Sequence, residues 1–266
     1  MPAPDIALIG AGRMGLALAE GWLSQKDKPR LALIDPKPSE HAQSLARKRT
    51  VSLNAEPEPA AVAIIAVKPQ VFRGAAENMR PWIGPETLVI SIMAGTRVKT
   101  LRDELGTQNV IRAMPNTPGA IGRGVSVISV PAGVSDAHAA RARDLLAPLG
   151  RVEGPVPEDK LSAVTALSGS GPAYLFLLVE AMAGAGEAEG LAPDLAETLA
   201  RETVAGAAQL MMETGDDAVS LRKAVTSPGG TTAAALDLLM EDNGIPSLIR
   251  QAMRAAAIRE RSLASE

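Results

Sequence analysis

The sequence predicts an α/β fold, with a doubly wound, mostly parallel sheet in the N-terminal half and an all-α C-terminal half. Three observations carry this. Up to about Leu149, short β-rich runs alternate with helical ones across short connections, the pattern of a sheet wrapped on both faces. Two of those runs, AVAIIAV (61–67) and TLVISIM (87–93), are almost continuously apolar, as strands buried on both faces are. Beyond Leu161 every long segment has helical spacing. The chain has 266 residues, enough for two modest domains. The change of pattern at GRVEGPVPEDK sets the boundary within 150–160, giving expected domains 1–155 and 156–266.

In chain order, DIALIG (5–10) is a strand and a helix runs from Met14 to about Gln25. RLALID (30–35) is a second strand, and a helix runs from Ser39 to about Lys48. After the two apolar strands, a helix spans Thr96 to Leu105, NVIRAM (109–114) and GVSVISV (124–130) are strands, and Asp136 to Leu149 is a helix. In the C-terminal half, PAYLFLLVEAMAGAGEAEG is apolar over most of its surface and reads as a central helix. Its small residues Ala181, Ala183, Gly184, Ala185 and Gly186 permit close helix–helix approach, and part of this surface is expected to form a dimer interface. APDLAETLARETVAGAAQLMMETG opens with a proline near its first turn and closes at Gly215. Leu248, Ile249, Ala252, Met253, Ala256 and Ala257 form a stripe at helical period.

Composition excludes several chemistries. With no cysteine there is no disulfide, thiol catalysis or Fe–S ligation. His41 and His138 lie far apart in polar, helix-like segments, so no metal site is expected. A net charge of −3 and only two Trp, two Phe and one Tyr argue against nucleic acid, which needs positive charge and stacking platforms. The start, MPAPDIALIGAG, lacks the layout of a secretion signal, and no window holds 18 uninterrupted apolar residues. A cytoplasmic protein with no membrane partner is the expectation.

IGAGRMG supplies G-x-G-x-x-G at Gly10, Gly12 and Gly15, after a strand and at the opening of a helix. Gly10 allows the tight turn, Gly12 lets a pyrophosphate approach the backbone, and Gly15 lets helix and strand pack closely. The N–H groups of Arg13 and Met14 then face the phosphates at the positive helix end. This predicts a dinucleotide-binding Rossmann domain. Asp35 ends the second strand, where an acid binds the adenosine ribose hydroxyls and favours NAD over NADP. It also suits a turn beginning with Pro36, and Lys37 and Ser39 could instead meet a 2′-phosphate, so NADP(H) and NAD(H) both stay open. TSPGGTT (226–232) contains no acid, base, thiol or metal ligand and runs straight into a helical segment. It reads either as an ordinary Ser/Thr helix cap or as an anion cradle made of free backbone N–H groups without charge.

Six stretches occur together in an order and spacing that resemble the pyrroline-5-carboxylate reductases: IGAGRMG, AVKPQ (66–70), IMAGT (92–96), IRAMPNTP (111–118), LSGSGPAY (167–174) and VTSPGGTT (225–232). The resemblance covers nearly the whole chain, and its last two motifs are highly specific. It implies a Rossmann domain, a helical dimerisation domain, and NAD(P)H-dependent reduction of the cyclic imine 1-pyrroline-5-carboxylate to L-proline, the final step of proline synthesis. It also implies a homodimer, often assembled into larger rings such as decamers. By resemblance, Ile9, Gly10, Ala11, Gly12, Arg13 and Met14 hold the pyrophosphate. Asn54 and the segment Ala66, Val67, Lys68 and Pro69 flank the adenosine side and the cofactor's far end. Ile92, Met93, Ala94 and Gly95 lie near the nicotinamide ribose, and Glu158 reaches the cofactor. Lys68 also reads as a solvated strand-end lysine, Asn54 as a turn residue, and Asn116 as either a loop-shaping side chain or a wall of the substrate pocket.

A protonated cyclic imine is already electrophilic, so the protein's tasks are binding, alignment and electrostatics. Ser227, Gly229, Gly230 and Thr231 are expected to cradle the substrate carboxylate, and Thr232 to place its hydroxyl against the ring nitrogen. A lysine there would disfavour the neighbouring iminium, which is the advantage of a neutral cradle. Two rivals carry less. A β-hydroxyacid dehydrogenase or imine reductase shares the two-part layout, but the hydroxyacid enzymes need a lysine on the central helix and Pro172–Gly190 holds none. A non-catalytic nicotinamide sensor has no use for a second anion cradle.

Overall fold

The computed structural model describes residues 3–48 and 50–263. Contacts divide the chain into two compact units: the part up to Gly169 together with the stretch from Ala256 onward, and Ser170–Ala255.

The first unit contains, in chain order, β1 (Ile6–Ile9), α1 (Arg13–Ser24), β2 (Leu31–Ile34), α2 (Glu40–Leu45), β3 (Val51–Leu53), β4 (Ala60–Ile65), α3 (Pro69–Met79), β5 (Ile83–Ser91), α4 (Val98–Leu105), β6 (Val110–Met114), β7 (Gly124–Ser129), α5 (Asp136–Leu146), β8 (Gly150–Glu153) and α6 (Leu161–Val164). One π-helical stretch, Thr165–Gly169, follows α6. The strands form a single sheet in the order β3-β2-β1-β4-β5-β6-β7-β8. Every pairing is parallel except β6 with β7.

Alternation along β1 explains why the sheet is covered twice. Ile6 and Leu8 join a core with Leu18 and Trp22 of α1 and Leu145 and Leu146 of α5. Ala7 and Ile9 point the other way, into a core with Phe72 and Ala76 of α3 and Leu101 and Leu105 of α4. The Trp22 indole N–H, too costly to bury unpaired, donates to the Leu145 carbonyl at 2.8 Å. Ser39 and Ser135 cap α2 and α5 by accepting from Ala42 and His138 N–H, each at 3.2 Å. Gly106 ends α4 in the left-handed conformation, φ +70°.

β3, α3 and β8 of this unit, besides the one-turn α6, are absent from the sequence prediction. β3 is only three residues long, too short to repeat its pattern; α3 runs unbroken for 11 residues with Phe72, Ala76 and Met79 buried on one face, a helical period the sequence reading passed over. β8 lies inside the Gly/Pro-rich stretch expected to be the end of the sheet. It pairs so closely with β7 that a Cβ on Gly150 would fall 2.2 Å from the Gly124 carbonyl oxygen. A glycine facing a glycine makes an edge strand that hydrophobic alternation does not announce.

The second unit contains α7 (Gly171–Ala188), α8 (Pro193–Thr214), α9 (Ala218–Ala224), α10 (Thr231–Leu239) and the first turns of α11 (Ile245–Leu263). α7 was expected as a central helix with part of its surface spare for a dimer interface, and within the single chain it lies uncovered. No residue of α7 is buried; Phe176 is 69% exposed and Leu177 63%. The reason is geometric: α8 lies against one side of α7, where a Cβ on Gly186 would sit 3.3 Å from Ala196, and nothing covers the side of Gly184. An apolar face this continuous marks an interaction surface. The helical run Glu158–Ala188 also has the length and composition of a membrane span, against the expectation that none exists, because its few charged residues interrupt an otherwise apolar average.

Candidate active site

The residues expected to hold a dinucleotide follow the carboxyl ends of neighbouring strands. Asn54 follows β3, Asp35 β2, Gly10 to Met14 β1, Ala66 to Pro69 β4, and Ile92 to Gly95 β5. β1 has β2 on one side and β4 on the other, so the chain reverses its winding there. In open α/β sheets the crevice outside that point is where ligands bind.

The glycine motif does three different things. Gly10 has φ +101°, and a Cβ on it would lie 2.7 Å from the Ala66 carbonyl carbon. A Cβ on Gly15 would lie 2.4 Å from the Gly10 carbonyl oxygen. Gly12, by contrast, faces open space and caps α1 without any side-chain hydrogen bond. The first-turn N–H groups, beginning at Arg13 and Met14, therefore point outward at the helix's positive end. Lys68 caps α3 at the same sheet edge, with Pro69 as the first helical residue and the lysine exposed.

Asp35 and Asn54 are tied to each other. The Asn54 side chain accepts from Asp35 N–H at 2.9 Å and donates to the Asp35 carbonyl at 2.8 Å, with Asn54 itself at φ +49°. The Asp35 carboxylate accepts from Ala11 N–H at 2.9 Å and Lys37 N–H at 2.8 Å. Asp35 thus joins the glycine turn to the end of β2.

The loop Ile92–Gly95 is held from several sides. Ile92 N–H donates to the Ile65 carbonyl at 3.0 Å. Gly95, at φ +68°, donates its N–H to Glu260 Oε1 at 3.0 Å. Glu158 Oε1 accepts from Val98 N–H at 2.7 Å and from Arg112 at 3.0 Å, so this carboxylate oxygen caps α4. Arg112 and Glu260 were not singled out from the sequence. A charged residue in the middle of the apolar run NVIRAM was the available signal, since a buried guanidinium demands a partner. The Asn116 side-chain oxygen accepts from Val125 N–H at 2.9 Å and so shapes the β6–β7 connection.

The remaining expected residues lie in the second unit, at the start of α10. Gly230 caps that helix at φ −82° without a side-chain hydrogen bond, and Gly230 N–H closes a turn onto the Ser227 carbonyl at 3.0 Å. Gly229 sits at φ +69° with open space where a side chain would be. Ser227 and Thr231 are exposed and Thr232 is half-buried. None of these hydroxyls caps α10, which departs from the ordinary-cap alternative. The helix instead opens with N–H groups that no side chain caps, at the end of the uncharged stretch Thr226–Thr232.

Comparison with known proteins gives the same picture. A family model described as pyrroline-5-carboxylate reductase dimerisation matches residues 158–263, and one described as NADP oxidoreductase, coenzyme F420-dependent, matches 5–95. The chain is similar to the pyrroline-5-carboxylate reductase of Pseudomonas aeruginosa, 38% identical over 100% of this chain and 99% of the relative. Its fold is similar to the solved pyrroline-5-carboxylate reductase of Coxiella burnetii, with TM-score 0.88, 32% identity and coverage of 98% and 99%. A Plasmodium falciparum pyrroline carboxylate reductase solved with NADP bound follows at TM-score 0.81 and 26% identity, covering 99% of each chain. With similarity over its full length, the chain belongs to the pyrroline-5-carboxylate reductase family, NAD(P)H-dependent oxidoreductases that reduce the C=N bond of 1-pyrroline-5-carboxylate to give L-proline.

Proposed function

We propose that the chain performs this reduction with the dinucleotide laid along the carboxyl ends of β3, β2, β1, β4 and β5, and the substrate carboxylate on the N-terminus of α10. The division of labour is 1–155 for most of the cofactor site and 156–266 for substrate and dimerisation, with Glu158 reaching the cofactor from the latter. When bound, the reduced nicotinamide supplies the hydride. The protein's own groups do the rest. The turn Ile9 to Met14 takes the pyrophosphate through the first-turn N–H groups of α1, since Gly10 and Ala11 N–H already donate to the Ile34 carbonyl and the Asp35 carboxylate. Lys68 and Asn54 flank the adenosine end, and Ile92 to Gly95 and Glu158 serve the nicotinamide end. Ser227, Gly229, Gly230 and Thr231 grip the acid, Asn116 walls the pocket, and the Thr232 hydroxyl bonds the ring nitrogen.

The observation that carries this reading is the glycine cap of α10. A helix end with no side-chain acceptor of its own leaves its N–H groups free for a carboxylate, and the neutral hydroxyls around it do not repel an iminium. Thr232→Ala tests it. Losing one hydrogen bond to a charged partner costs about 1.5–3 kcal/mol, so kcat/KM for the imine should fall roughly 10- to 100-fold. The dinucleotide Kd should stay unchanged. Wild-type kinetics would remove Thr232 from the mechanism.

For the cofactor, both NADH and NADPH serve, with Asp35 tilting the choice toward NADH because a 2′-phosphate would face its carboxylate. Side-by-side kcat/KM values check this, and Asp35→Ser should move the ratio toward NADPH. The working form is a homodimer within a larger ring such as a decamer, acting in the cytoplasm. The net charge of −3 and the few aromatic residues support a protein with no nucleic-acid partner, and the exposed apolar helix is assigned to the dimer rather than to a membrane.

A further inference from the structure

Two glutamates from distant parts of the chain hold one short segment. Glu158 Oε1 accepts from Val98 N–H at 2.7 Å. Glu260 Oε1 accepts from Gly95 N–H at 3.0 Å. Between them stands Arg112 on β6, its side chain 6% exposed, with Nη1 3.0 Å from Glu158 and Nη2 3.7 Å from Glu260. The Glu260 side chain is 8% exposed. The last turn of α11 also closes on the loop sterically: a Cβ on Gly95 would meet Leu263 Cβ at 3.0 Å. These contacts lie within the first unit, to which the chain from Ala256 onward belongs.

A buried carboxylate is costly to keep unless its partners are specific. Here the acceptor sits on the one N–H that fixes the exit of the β5 loop, at a residue whose positive φ only glycine takes easily. A charge-assisted bond of this kind is roughly twice as strong as a neutral one. It holds Gly95 at the end of a loop whose Ile92 and Met93 side chains pack into the two cores and whose Ala94 is half-buried.

We infer that Glu260, steadied by Arg112, is a positioning residue for the reduction: through Gly95 N–H it sets the loop Ile92–Gly95 against the nicotinamide half of the cofactor. This rests on the reading that the loop lies at the nicotinamide end. Glu260 touches neither cofactor nor substrate. Its effect is confined to the geometry of hydride transfer and to the nicotinamide half of the dinucleotide.

The experiment uses the full-length protein and three variants, Glu260→Gln, Glu260→Leu and Arg112→Lys. Glu260→Gln keeps the shape and an acceptor oxygen, and Arg112 keeps Glu158, so this variant folds without stranding a charge. Hydrogen exchange on the wild type comes first. NADH should slow exchange at 92–95, and ADP-ribose, which lacks the nicotinamide, should not. If neither or both do so, the placement of the loop is wrong and the inference falls with it. If the placement holds, Glu260→Leu should weaken NADH binding about tenfold, the order expected when a buried hydrogen bond to a charged group is lost. ADP-ribose binding should change less than about twofold, because the rest of the crevice is untouched. The primary isotope effect with 4-deuterated NADH should rise. Glu260→Gln and Arg112→Lys should lie between Glu260→Leu and wild type. Should Glu260→Leu fail to fold, Glu260→Gln decides alone: faster exchange at Gly95 with a raised isotope effect supports the role. A folded Glu260→Gln with wild-type Gly95 exchange and isotope effect overturns it, as does equal weakening of NADH and ADP-ribose.

Discussion

Gly10, Gly12 and Gly15 belong to one motif, but the space around each is different, and their alanine variants should separate accordingly. Gly10→Ala sets a methyl 2.7 Å from the Ala66 carbonyl carbon at φ +101°, and Gly15→Ala sets one 2.4 Å from the Gly10 carbonyl oxygen. Strain and overpacking together should cost roughly 2–4 kcal/mol, visible as a lowered thermal midpoint without any cofactor present. Gly12→Ala meets nothing within 4 Å. Its stability should stay within about 1 kcal/mol of wild type, while dinucleotide affinity falls at least about tenfold because the methyl occupies the phosphate's space. Equal affinity in a stable Gly12→Ala protein would take the pyrophosphate away from this turn. Asp35 and Asn54 were expected at the cofactor, with turn-building as their alternative; the hydrogen bonds display the turn-building. That ambiguity was real in the sequence, because an acid after a strand serves either purpose.

Two elements carry predictions of their own. β1 and β2 begin side by side, and Asp5 pins them there: its carboxylate accepts from Arg30 N–H at 2.8 Å and from the Arg30 guanidinium at 2.7 Å. The guanidinium hydrogen bond holds the Asp5 carboxyl below its ordinary range. A carboxyl depressed by folding lends stability above its unfolded pKa and loses it as pH falls through the folded value. Asp5→Asn should therefore lower the thermal midpoint slightly near neutrality and not at all at strongly acid pH; the pair is exposed, so the effect is small. A constant difference across that range would assign it to something other than this pair. The second element is α10. Gly230→Asp places a strong N-cap where the helix has none, at φ −82°, which any residue adopts. The unit's thermal midpoint should hold or rise. kcat/KM for the imine should drop by more than about tenfold, since the new carboxylate competes for the same N–H groups and repels the substrate's acid. Retained activity would put the substrate elsewhere.

At the scale of the whole molecule, the second unit is a core cut open. Only Ala196 and Ala200 are buried among its described residues, while α7 shows Leu175, Phe176 and Leu177 to solvent at 52%, 69% and 63%. The match of residues 158–263 to a model described as pyrroline-5-carboxylate reductase dimerisation supports the proposal that a second copy covers them. Light scattering at micromolar concentration should give at least twice the chain mass. Leu177→Asp should shift it toward the monomer and lower the thermal midpoint; a monomeric wild type would refute the dimer. The apolar character of α7 was legible, but its setting was not. Composition tells that a helix must be covered, and cannot tell whether the cover is the same chain or another.

The sequence by itself determined the strand–helix alternation, the glycine turn after β1, the run of helices beyond Leu161 and the uncharged start of α10. Each of these depends on residues within a few positions of one another, where period, capping and backbone freedom act. Only the tertiary structure decided that β8 extends the sheet, that Asp35 and Asn54 lock together, and that Glu260 reaches Gly95 across 165 positions. Such contacts join segments that carry no common pattern, and a hydrogen bond or buried ion pair is selected by the three-dimensional placement of its two ends, not by anything either end's neighbours record.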